Sequence, residues 1–159
     1  MFSNNGFIIL LTLLIALIAS ITPMPMGFDA FRPDWVLIAL VYWCLALPSK
    51  VNIITAWVMG FILDVLLGSV LGVHACAMAL SVYIIVDNFQ KIRNFSIWQQ
   101  ALIIGVLSAQ YHLVVFWLQR FLNDVVFLPN YLYPVITTIV LWPWVFLLLR
   151  RVRRHFRIK

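Results

Sequence analysis

Residues 35–67 read WVLIALVYWCLALPSKVNIITAWVMGFILDVLL, and how they are divided decides the fold. They hold two apolar runs, Trp35 to Leu47 and Val51 to Leu67, parted by Pro48, Ser49 and Lys50. Pro33 and Pro48 bound the first run, and proline is suited to helix starts and stops. It is short for a membrane crossing, which takes about 20 residues, so a re-entrant segment is the competing reading. The basic residues argue for a crossing. If the run did not cross, Arg32 and Lys50 would share one side and the alternation downstream would fail.

Outward from this pair, four more apolar runs follow the same pattern: Phe7 to Ile21, Val70 to Val86, Ile97 to Leu118 and Leu132 to Leu149. Six crossings place Lys50, Lys91, Arg93 and the tail Arg150, Arg151, Arg153, Arg154, Arg157 and Lys159 inside. Only Arg32 and Arg120 remain outside, as the positive-inside rule requires. Both termini are then cytoplasmic. The expected fold is an all-α, polytopic membrane protein of six transmembrane helices, a single domain over residues 1–159 with a basic tail at 150–159. The leading residues Met1 to Gly6 carry no Lys or Arg, so an uncleaved first helix is favoured over a signal peptide.

Composition agrees. Of 159 residues, 65% are hydrophobic and 10% charged, against about 25% charged in soluble domains. Mean hydropathy is +1.05. A soluble fold of this size cannot hide so much apolar surface, which excludes a soluble enzyme and a DNA-binding module. The net charge of +6 does not indicate nucleic acid, because six of the eleven basic residues sit in the last ten positions. There they suit anionic lipid or a cytoplasmic protein. Cys44 and Cys76 lie in apolar runs without metal-ligand spacing, and no metal or cofactor is expected.

Small or special residues recur at Gly60, Asp64, Gly68, Gly72 and Cys76. Four-residue spacing shares a helix face, and small residues let membrane helices approach closely. Asp64 is costly within a bilayer; it either accepts N–H groups at the turn or serves a ligand or proton. No basic partner for it is evident. In Arg32-Pro33-Asp34-Trp35, Pro33 and Asp34 suit a helix start and Trp35 an interface. Arg32 has Asp64, Asp124 or a partner protein as candidate mates. Ser108 and His112 share a face of the fifth run but lack an evident orienting acid, so helix-joining hydrogen bonds are favoured over catalysis. Pro143 should kink the sixth helix. The outer segments Ile21 to Phe28 and Phe121 to Pro129 are unusually apolar, which suits interfacial embedding or a docked partner.

The string FRPDWVLIALVYWCLALPSKVN, then GFILDVLLGSVLGVHA, WQQAL and LWPW, resembles the proteobacterial form of the rod shape-determining MreD family over about Phe28 to Leu149. Arg32, Pro33, Asp34, Trp35, Gly60, Asp64, Gly68 and Gly72 carry the likeness, and are the expected partner-binding or structural motif. Arg150, Arg151, Arg153, Arg154 and Arg157 are the expected lipid or cytoplasmic contacts. The resemblance implies a non-enzymatic scaffold of the bacterial inner membrane, within the elongation complex that builds peptidoglycan. Its implied partners are MreC, MreB directly or indirectly, a RodA-type glycosyltransferase and a class B penicillin-binding transpeptidase, besides membrane lipids. It also implies a likeness to the substrate-binding subunits of vitamin-uptake transporters. The alternative is therefore a membrane subunit that binds lipid or a small molecule in a cavity lined by Asp64, His74, Gln110 and His112.

Overall fold

The computed structural model describes residues 4–158. All regular structure among them is helical: α1 (Asn4–Ile21), α2 (Trp35–Ala46), α3 (Ile53–Leu67), α4 (Val73–Arg93), α5 (Ile97–Leu122) and α6 (Tyr133–His155). Short 3-10 turns at Asp29–Phe31 and Pro129–Leu132 lead into α2 and α6. Residues 1–3 and Lys159, part of the expected leading segment and tail, lie outside the described residues.

The helix at the centre is α2. Every residue from Val36 to Leu45 is buried, because α1, α4, α5 and α6 all pack on it. A helix apolar on all faces belongs in a core. At 12 residues α2 is about 18 Å long, short of a ~30 Å hydrocarbon layer. Three helices are long and apolar enough to cross a membrane: α4, α5 and α6 with its leading turn. The surface is apolar as well as the core. Trp98, Leu102, Val106, Leu113 and Trp117 form an exposed stripe along α5, and α1 and α6 expose similar rows. Water tolerates such continuous stripes poorly, and lipid accepts them.

Antiparallel neighbours bring alternate helix ends together. The C-terminal ends of α1 and α3 meet the N-terminal ends of α2, α4 and α6 around one cavity. The C-terminal ends of α2 and α4 meet the N-terminal end of α5 and the basic part of α6 around another. The basic residues divide accordingly: Lys50, Lys91, Arg93 and the five arginines from Arg150 to Arg157 belong to this second end, and Arg32 and Arg120 to the first.

The small-residue series splits into two roles. Gly60 lies in the α3–α4 contact, where an added Cβ would come 2.5 Å from the Ala75 Cα. Gly68 and Gly72 are not on a helix face. Both take left-handed φ, +64° and +98°, in the intervening turn. Gly68 closes α3 with the N–H of Ser69 returning to the Asp64 carbonyl at 3.1 Å, the paired arrangement that glycine serves at helix ends. Cys76 is exposed, so the four-residue series ends at Asp64 as a packing feature.

Other boundaries also shift. The fourth helix begins at Val73 rather than residue 70, because the glycine turn occupies the interval, and it runs on to Arg93. The sixth continues without interruption through Pro143 and most of the expected tail. Its end is capped by the N–H groups of Arg157 and Ile158, which bond to the carbonyls of Arg154 and Arg153. Ile158 is buried, so the residues just after His155 turn back onto the bundle.

Candidate functional site

Two aspartates organise the first end. Asp64, in the last turn of α3, has a side chain with no solvent exposure. Its carboxylate accepts from Ser69 Oγ at 2.8 Å and from the backbone N–H groups of Gly72, His74 and Ala75 at 2.9, 3.0 and 3.3 Å. His74 Nδ1 adds a bond of 2.7 Å. The carboxylate thus satisfies the orphan donors at the start of α4, where the helix dipole is positive. The turn-capping reading of Asp64 matches this geometry. The absence of a basic partner does not hold, since His74 is that partner.

Asp34 immediately precedes α2. Its carboxylate accepts from Ser108 Oγ and from His112 Nε2, the latter 2.9 Å from Oδ1. Its backbone N–H reaches Thr138 Oγ1 on α6 at 3.4 Å. One residue therefore ties α2 to both α5 and α6. The expectation that Ser108 and His112 lack an acid is overturned: Asp34 supplies it, 74 and 78 positions away. The order differs from a nucleophile relay, in which the histidine stands between hydroxyl and acid. Here hydroxyl and imidazole both donate to the carboxylate, an arrangement suited to holding helices.

Arg32 does not meet Asp64 or Asp124. Its Nη1 donates to the Ser20 carbonyl at 2.9 Å, and Nη2 lies 3.4 Å from Asp29 Oδ1. The Ser20 carbonyl belongs to the last turn of α1, where a cation is favoured. Arg32 Nε is buried without a partner. Phe31 stacks on Tyr133, fixing the entry to α2 against the start of α6.

Between these groups lies a cavity of about 190 Å³, with Arg32, Asp34, His74, Tyr111 and His112 on its walls. Tyr111 stands between the imidazoles, its ring centre 6.1 Å from that of His74 and 5.1 Å from that of His112. The expected lining is half right. His74 and His112 contribute, Asp64 is hidden behind His74, and Gln110 turns away to accept from Ser81 Oγ at 3.1 Å. Asp34 and Tyr111 were missed as lining residues. The cavity presents imidazole, carboxylate and guanidinium groups in an otherwise apolar wall, so it can hold a small polar group at the helix ends.

An all-α chain with lipid-compatible outer faces, three bilayer-length helices and its polar groups gathered at helix ends is an integral membrane protein. The chain belongs to the rod shape-determining protein MreD family, whose model matches residues 1–152. It is 37% identical over 157 residues to the rod shape-determining protein MreD of Haemophilus influenzae, covering 99% of this chain and 97% of that protein. No solved structure matches it.

Proposed function

We propose that the chain is a non-enzymatic scaffold of the cell-elongation complex in the bacterial inner membrane. In this reading its Arg32–Asp34 end faces outward and engages MreC. Its arginine end faces the cytoplasm, toward MreB, and helix faces adjoin the RodA-type glycosyltransferase and the class B penicillin-binding transpeptidase. Membership of a shape-determining family supports the process. One observation carries the contact: the apolar segments that join the helices at the Asp34 end expose Met26 at 100% and Val126 at 73%. Polar loops would be expected at a bare membrane exit.

Co-purification from mild detergent tests the reading. MreC should accompany the wild-type chain and be lost with Met26→Ser combined with Val126→Ser. Recovery of the wild-type chain alone, with intact MreC present in the same membranes, would sink it. A second reading, a membrane subunit that binds a small molecule or lipid, is supported by the cavity at Asp34 and His112. Native mass spectrometry showing no retained small ligand would remove that reading.

A further inference from the structure

The opposite end of α2 borders a second cavity, of about 350 Å³, with a different chemistry. Arg93 at the end of α4 and Arg150 and Arg153 on α6 converge on it. Among the described residues no carboxylate lies within ion-pair distance of these arginines or lines the cavity. Three guanidinium groups on one cavity wall, with no counter-charge among the described residues, repel one another unless an anion joins them.

Two buried side chains of the wall also lack partners. Tyr42, 2% exposed, has no hydrogen-bond partner for its hydroxyl. Gln100, 3% exposed, donates through Nε2 to the carbonyls of Ile92 at 3.0 Å and Phe95 at 3.3 Å, which leaves Oε1 unpaired. Those two carbonyls fix which way the amide points. Buried polar groups are normally satisfied, so an orphan donor and an orphan acceptor in one cavity point to a missing guest. Ser96 and Ile97 bring the positive end of the α5 dipole to the same wall.

We infer that this cavity binds a phosphate anion that also carries a free hydroxyl, of the glycerol phosphate type. The arginine forks and the Tyr42 hydroxyl donate to phosphate oxygens, and Gln100 Oε1 accepts from the guest's hydroxyl. A guest without a donor leaves Gln100 orphaned, as a choline headgroup would, and an ethanolamine ammonium would add a cation beside three arginines. The apolar rim, including Phe146 and the exposed Phe95, suits a headgroup whose acyl chains leave sideways into lipid. The same chemistry also fits a soluble glycerol phosphate.

The test is native mass spectrometry of the full chain in detergent, with dioleoylphosphatidylglycerol, dioleoylphosphatidylcholine or glycerol 1-phosphate as probe. Phosphatidylglycerol should be retained over phosphatidylcholine. Arg93→Gln, at an exposed position that folding tolerates, should weaken retention about tenfold, the effect of one lost charge-assisted hydrogen bond. Tyr42→Phe should weaken it about fivefold. Arg151→Gln and Arg157→Gln, which remove equal charge outside the cavity, should leave it within about twofold. Displacement of the lipid by glycerol 1-phosphate would support the site and assign it to a soluble guest; its failure would assign the site to lipid. Equal weakening by the cavity and control variants, or equal retention of the two lipids, would overturn the inference.

Discussion

Asp64 and Asp34 are both single carboxylates on which several donors depend, so removing either strands its partners rather than deleting one contact. Asp64→Ala would orphan the N–H groups of Gly72, His74 and Ala75 together with the His74 ring. The expected loss is about 3–5 kcal/mol, from several buried donors left unsatisfied at once, read as a large fall in the thermal midpoint in detergent. Ser108→Ala removes one donor to Asp34 and leaves His112 in place, so its expected cost is only about 1 kcal/mol. The Ser108→Ala, His112→Ala double variant should retain cell-shape function if the chain is no enzyme; abolished function in a stably folded double variant would contradict that. The Asp64–His74 pair was within reach of the sequence. Gly68 and Gly72 mark a tight turn centred near Ser69, which sets residues 64 and 74 opposite each other on adjacent helices. The Asp34 partners were not, because no local pattern says which of five aspartates crosses to a serine–histidine face on α5.

At the scale of the element, glycine positions separate by what stands opposite them. Gly60 faces backbone, with an added Cβ 2.5 Å from the Ala75 Cα and 2.7 Å from its nitrogen. Gly105 faces the side-chain end of Ile139, which can rotate aside. Gly6 in α1 has nothing within 4 Å. Thermal denaturation should therefore rank three variants. Gly60→Ala should destabilise by about 1–3 kcal/mol because α3 and α4 must separate. Gly105→Ala should cost less, and Gly6→Ala should be neutral or gain about 0.5–1 kcal/mol through helix propensity. A Gly60→Ala variant as stable as Gly6→Ala would show that the two helices are not in contact at this point. Apolar runs located all six helices because hydrophobicity is what makes these segments leave water. They misplaced the ends of α4 and α6, since a helix continues past its apolar run wherever hydrogen bonds and caps allow. The Arg157 and Ile158 cap, built without glycine, gave no sequence signal that Arg150 and Arg153 would sit on a cavity wall.

For the whole molecule, the question is how α2 serves in a membrane bundle when it is about 18 Å long. It has no lipid-facing surface to match to a bilayer, because neighbouring helices bury it. Its two ends open on the two cavities, with Asp34 and Val36 at one and Leu45 and Ala46 at the other. Polar groups at those ends can thus be hydrated within the profile of the longer helices, as irregular backbone is tolerated where it lines a cavity. We propose on this argument that α2 also carries the chain from one side to the other, so that the six helices make six crossings. Membrane-impermeant maleimide on intact cells decides it. Cys76 is exposed and must first become Cys76→Ser, whereas Cys44 is buried. Ser49→Cys, chosen because it leaves the orienting charge of Lys50 in place, should react only after the membrane is opened. Met26→Cys, fully exposed in the segment before α2, should react on intact cells. If both react from the same side, α2 does not cross, and the assignment of the two cavities to opposite membrane faces falls with it.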